Sequence, residues 1–456
     1  MGNSEALTSS TLVTRRRFVQ IAVATGAVTV ASCGRGEDRQ GVVQQGTLAP
    51  TIEPRRRPAQ VLLNPQDSLK AHAASAGLLV GCAAVPELLE FGGSMPAESQ
   101  DPYTRTIIEQ CNILVAENAM KWSSMRPTAT TYDFAPADKL FAFAAQYGQK
   151  MRGHNLCWHE QLPAWFAATA TRTNAQSLLI QHIQTVAGRY AGRVHSWDVV
   201  NEAVHPPDGR ADGLRKTPWL DLIGPEYIEL AFTTAAKADP TAKLTYNDYD
   251  FELDTPEQAA KRWEILLLVR RLRARNVPIH AIGLQSHLQA AGAQPGAGLV
   301  SFIREVAKMG LEVYVTELDV NTRALPGGPE LQDAAVASVY QNYLDLVLAE
   351  PNVRAVLTWG ITDAHTWLNT SKQPWALRPD GARQRPLPFD DQYMPTPAFF
   401  AMRNALDGAH GSTGQSIGQP SSQPAGILSK PEGKAIPSLP SSMGKPGRLP
   451  PLPTPP

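Results

Sequence analysis

An excess of charge of either sign is missing from this sequence. Lys and Arg together number 42, as do Asp and Glu, and no basic stripe extends beyond Arg55 to Arg57. That balance argues against a polyanionic partner such as nucleic acid and favours an uncharged or weakly charged substrate. Cysteine is scarce, at four in 456 residues. Cys82, Cys111 and Cys157 each lie in an apolar segment, and an odd set without CxxC spacing argues against a disulfide framework or a zinc site. Free core thiols are expected. No HExxH pairs two ligands on one helix face, and no GxGxxG or P-loop follows the first expected strand, so no metal and no cofactor are expected.

Apolar runs long enough to stay in a bilayer are absent too. The nearest approach is the uncharged run Ile21 to Ser32, which follows "TRRRFVQ" from Thr14. Paired arginines ahead of such a run resemble a twin-arginine export signal. "VASCG" then sets Cys33 after small residues, as in the lipobox of bacterial lipoproteins, so Cys33 is a candidate lipidation residue. An incidental cysteine beside an ordinary cleavage site is the alternative. The expected location is outside the cytoplasm: secreted, periplasmic or lipid-anchored at the cell surface, with that lipid as the one membrane contact.

Residues 1–33 are thus expected to be signal and 34–68, polar and containing Pro and Arg, a tether. From 408 to 456 the composition turns to Ser, Gly, Gln and Pro and ends in "RLPPLPTPP", which cannot bury enough apolar surface to offset its ordering entropy. That tail is expected to be disordered. Between them, 69–407 alternates short apolar runs with helix-like stretches such as Glu257 to Arg275. The expected strands are "LLVGCAA" (Leu78), "NILVAEN" (Asn112), "MRGHNLCW" (Met151), "VHSWDVVNE" (Val194), "KLTYND" (Lys243), "IHAIGLQS" (Ile279), "EVYVTE" (Glu312) and "AVLTWG" (Ala355). Repeated strand-helix units indicate an α/β fold, a single (β/α)8 TIM barrel, with a doubly wound open sheet as the alternative.

Polar residues fall at one end of nearly every unit: Glu117 and Asn118, His154, Asn201 and Glu202, Asn247 and Asp248, Gln285 and His287, Glu317, Trp359. In a barrel these ends converge on one cleft at the C-terminal face. Two carboxylates on separate strands, Glu202 and Glu317, suit glycoside hydrolysis, which needs a protonated acid for the leaving oxygen and a carboxylate for the anomeric carbon. A metal site from His154, His159, His287 and Asp319 is the rival reading, and a Cys157/His159 nucleophile pair a weaker one. Trp122, Trp158, Trp165, Trp359 and Trp367 lie at or beyond strand ends, where indole faces can stack on pyranose rings.

The linked motifs "ENAMKW" (Glu117), "GHNLCWHEQLPAWF" (Gly153), "WDVVNEAV" (Trp197), "LTYNDYDFE" (Leu244), "IGLQSHL" (Ile282), "VTELDV" (Val315) and "LTWGITDAHTWL" (Leu357) together resemble glycoside hydrolase family 10, the endo-1,4-β-xylanases, from about Leu78 to Phe400. The resemblance implies a retaining enzyme on xylan and xylo-oligosaccharides, with Glu202 as acid/base and Glu317 as nucleophile. It also implies that Asn201 meets the sugar 2-hydroxyl and that His287 and Asp319 support the nucleophile. Glu117, Asn118, Lys121, His154, Trp158, Gln161, Gln285, Trp359 and Trp367 match glycone-side positions, and Tyr249 an aglycone-side one. Cys157 and Glu160 are where this chain departs from the pattern, while Asp363 to Asp390 matches as a version of the family's last loop, whose length and shape bear on glycone-end specificity. Two other readings stay open: the same machinery on another β-1,4-glycan or aryl β-glycoside, and a surface carbohydrate-binding protein without catalysis. Nothing in the sequence points beyond a monomer.

Overall fold

A computed structural model of the protein describes residues 64–90, 101–371, 373–374 and 376–409. The expected export signal with Cys33, most of the tether and nearly all of the tail lie outside the described residues.

Among the described residues nine parallel strands form one sheet: β1 (Leu79–Ala84), β2 (Ile113–Ala116), β3 (Lys150–Cys157), β4 (Ser196–Asn201), β5 (Lys243–Asp248), β6 (Ala281–Leu284), β7 (His287–Gln289), β8 (Glu312–Asn321) and β9 (Val353–Thr358). Their interiors are almost wholly buried and mostly apolar, as parallel strands with helices outside must be, with buried polar residues such as Arg152, Asp198 and Asn247 as the exceptions. Strands β1 to β6 pair in sequence, β6 pairs with β8, β8 with β9, and β9 returns to β1 through Leu79 opposite Ala355. The sheet therefore closes on itself as the (β/α)8 barrel, and the open-sheet alternative is excluded. Strand β7 is additional, paired only with β8 beyond the ring.

Helices cover the outside. The helix expected over Glu257 to Arg275 runs Pro256–Ala274; Thr255 caps it by accepting the Gln258 N–H, and a proline takes the first position, where no N–H is needed. Side chains inside the barrel, among them Ile113, Val115, Tyr314, Leu357 and Trp359, form a core separate from the one under the helices. Gly153 is required by packing: a Cβ there would lie 2.1 Å from the ring of Trp197, which is fully buried.

Two boundaries differ from expectation. Pro65–Asp67 form a 3-10 turn and the buried Ser68 caps the first helix, so the fold begins within the last residues assigned to the tether. The last helix runs Pro397–Gly408 and Ala409 is buried, so it also takes the first two residues assigned to the tail. Cys82, Cys111 and Cys157 are buried free thiols.

Candidate active site

Glu202 follows β4 directly and adopts a left-handed backbone, φ 60. Its N–H donates to the Asn247 carbonyl at the end of β5, 2.8 Å away, which ties two neighbouring strand ends together. Glu317 lies inside β8, which continues through Asn321 instead of ending at the glutamate as expected. A register shift between Val315 and Leu318 lets β8 turn past Glu317 and pair with β7, where His287 stands opposite Asp319.

One amide network joins the two glutamates. Gln285 Nε2 donates to Glu202 Oε1 at 3.0 Å and to Asn201 Oδ1 at 3.2 Å, and Asn201 Nδ2 donates to Glu202 Oε1 at 3.1 Å. Asn247 Nδ2 donates to Asn201 Oδ1 at 2.9 Å and to Glu317 Oε1 at 2.7 Å. Thr316 Oγ1 in turn donates to Asn247 Oδ1 at 2.7 Å, fixing which way that amide faces. His287 Nε2 lies 3.3 Å from Glu317 Oε2 and its Nδ1 2.9 Å from Asp319 Oδ1. The indole N–H of Trp367 donates to the other Asp319 oxygen at 2.7 Å.

The two carboxyls are pushed in opposite directions. Burial is the largest influence on Glu202, with the nearby charges of Asp248 and Glu317 adding to it and the Gln285 hydrogen bond opposing; the acid is pushed up to about 7. Burial also opposes ionisation of Glu317, but the His287 hydrogen bond and the electrostatic influence of His154, His287 and Lys121 outweigh it and pull it down to about 2. At neutral pH the cleft thus holds one carboxylate and one carboxyl poised between its two forms, the division of labour that acid-assisted glycoside cleavage needs.

Several of the other expected residues form a second linked group, and His154 brings it to Glu317, its Nδ1 3.9 Å from Glu317 Oε1. Asn118 Nδ2 donates to Glu117 Oε1 at 3.1 Å and Lys121 Nζ donates to Asn118 Oδ1 at 3.0 Å. The Lys121 ammonium sits 5.2 Å from the Trp158 ring centroid and 5.4 Å from that of Trp359. His154 is buried with Nδ1 3.0 Å from Asp198, which is also paired with Arg152, and its ring meets Trp359 edge-on at 5.3 Å. Tyr249 stands on the other side, linked to the Glu202 backbone through Arg215. Gln161 is exposed, φ 48, and its backbone carbonyl accepts the Ser123 N–H; no part of the network above passes through it.

Trp122 corrects an expectation. It is buried in the core, stacked on His182 with centroids 3.7 Å apart, and its N–H donates to the Leu156 carbonyl, so it offers no face to a sugar. Trp165 is half-buried with its N–H on the Arg126 carbonyl and an Arg126 guanidinium over its ring, again a packing role. Sequence reading placed Asn247 among the convergent strand ends without naming its partners, and passed over Trp219, whose N–H holds the Trp158 carbonyl at 2.8 Å, as well as Asp198 and Arg215. Asp198 could have been found as a polar residue inside an otherwise apolar strand; Arg215 lies in a loop with no such signal. Among the described residues no group of three His, Cys, Asp or Glu is arranged to hold a metal ion.

The sequence pattern of Glycosyl hydrolase family 10 matches residues 68–405. The chain belongs to that family. This family 10 chain is 38% identical over 308 residues to a β-1,4-xylanase of Dictyoglomus thermophilum, a match covering 65% of this chain and 83% of the relative. It is 35% identical over 316 residues to a thermostable celloxylanase of Thermoclostridium stercorarium, covering 64% and 78%. Among solved structures, xylanase 10B of Thermotoga petrophila in complex with xylobiose superposes with a TM-score of 0.65 at 32% identity, covering 75% of this chain and 97% of that one.

Proposed function

We propose that this family 10 chain is an endo-1,4-β-xylanase that hydrolyses internal bonds of xylan with retention of anomeric configuration. The observation that carries the reading is the pair of buried glutamates, one pushed up and one pulled down, joined by a single amide network. In the first step Glu317 attacks the anomeric carbon while Glu202 gives its proton to the departing oxygen, so the C–O bond breaks as the glycosyl ester forms. The ester removes the charge of Glu317, and Glu202, now ionised, takes a proton from water as that water displaces Glu317. In this reading Asn201 meets the sugar 2-hydroxyl. Lys121, Asn118, Glu117, His154 and the indoles of Trp158, Trp359 and Trp367 form the wall that holds the glycone. Gln161 and Tyr249 complete the two ends.

Proton NMR of fresh product from a xylo-oligosaccharide is the test. The β-anomer appearing first is required, and the α-anomer first contradicts retention. The celloxylanase relative favours a second reading, activity on β-1,4-glucan as well, because neither glutamate reads the substituent at C5 of the sugar. Relative kcat/KM on xylan and on a soluble glucan separates the two. We also read the N terminus as directing export; replacing Arg15 and Arg16 with Lys should retain the protein in the cytoplasm, and unchanged export contradicts it.

A further inference from the structure

The left-handed backbone at Glu202 is one that side-chain-bearing residues rarely adopt, and it persists only where the surroundings over-determine it. Two groups hold it. The N–H is taken by the Asn247 carbonyl, and the carbonyl accepts from Arg215 Nε at 2.7 Å. Arg215 is itself buried, and its backbone N–H donates to the Ala203 carbonyl at 2.7 Å, pinning the loop to the residue after the glutamate. Another guanidinium nitrogen donates to the Tyr249 hydroxyl at 2.9 Å.

We propose that Arg215 is the positioning residue of Glu202, one planar fork gripping the glutamate's backbone and the Tyr249 phenol so that the carboxyl faces the leaving-group oxygen. The proposal rests on the reading of Glu202 as proton donor. A guanidinium suits the task because its donors lie in one rigid plane; a lysine at the same place can satisfy one acceptor or the other, not both. A proton donor displaced by even an ångström loses much of its effect, and only where the leaving group needs the proton.

The experiment is kcat/KM of the wild type, Arg215→Lys and Arg215→Ala on phenyl β-xylobioside, a poor leaving group, and on dinitrophenyl β-xylobioside, which departs without a proton. For Arg215→Lys, which keeps the charge and so the best chance of folding, the expected loss is about tenfold or more on the phenyl substrate and less than about threefold on the dinitrophenyl one. Arg215→Ala should widen that split. Equal losses on both substrates assign Arg215 a general structural role and overturn the proposal, as does no loss on either. Wild-type protein that cleaves neither substrate would instead remove the activity on which the proposal rests.

Discussion

The His287 imidazole stands between two carboxylates, its Nε2 3.3 Å from Glu317 and its Nδ1 2.9 Å from Asp319. Burial works against its charge, but Asp319 and Glu317 prevail and raise it well above its ordinary value, so it serves Glu317 as a fixed cation. In Asp319→Asn that cation loses its anchor and Glu317 should be harder to ionise. In the proposed mechanism Glu317 reacts only when ionised, so the acidic limb of kcat/KM against pH should move upward by about one unit. An unmoved acidic limb contradicts this assignment.

Glu202 sets the other limb. With its acid pushed up to about 7, kcat/KM should fall as pH rises through that value, where the proposed proton donor is lost. The same shift has a stability consequence with a definite sign. The folded-state value lies above the unfolded one, so the neutral acid's contribution is fully present below the unfolded carboxyl range and is lost as pH rises toward 7. Glu202→Gln should therefore raise thermal stability at pH 8, by on the order of 1–3 kcal/mol, and leave it unchanged at pH 4. Calorimetry at the two pH values decides it; equal effects at both contradict the buried-acid account.

Asn247 is the amide that touches Glu317 and Asn201 together, and a glycine makes room for it. A Cβ at Gly283 would lie 2.1 Å from Asn247 Oδ1 and 3.0 Å from the Thr316 methyl. Gly283→Ala should destabilise the fold by about 1–3 kcal/mol and lower kcat/KM on xylan together with it, since the displaced amide is the one bonded to Glu317. Denaturant melts paired with kinetics test this; full activity at wild-type stability would show that Asn247 does not depend on Gly283.

Trp122 and Trp359 should part company on mutation. Trp122→Ala removes a fully buried indole stacked on His182 and should cost about 3–5 kcal/mol of stability. Trp359 packs in the barrel's inner core but also lies edge-on to His154 and against the Lys121 ammonium at the cleft, so Trp359→Ala should raise KM on xylan markedly and cost less stability than Trp122→Ala. The reverse pattern contradicts their assignment to core and cleft.

The barrel was legible in the sequence because buried parallel strands read as near-continuous apolar runs, and the exceptions to that rule, Asn201, Glu202, Gln285 and Glu317, mark one rim. What stayed hidden depends on register and on loops. Three residues, His287–Gln289, are too short a run to announce β7, yet that strand sets His287 against Asp319. Trp122 and Trp158 look alike beside strand ends in one dimension, and only packing against His182 and Trp219 separates core from cleft. Arg215 sits thirteen residues from Glu202 in a segment without periodicity, so its grip on that backbone has no signature in sequence.

The central claim is that Glu202 and Glu317 cleave xylan. It is tested most directly by release of reducing ends from xylan and from a soluble β-1,4-glucan by the purified protein, with Glu317→Gln alongside. Release should be rapid from xylan, weaker from the glucan, and lower by at least about a thousandfold in the variant. Xylan left intact by the wild type, or cleaved as well by the variant, would contradict it.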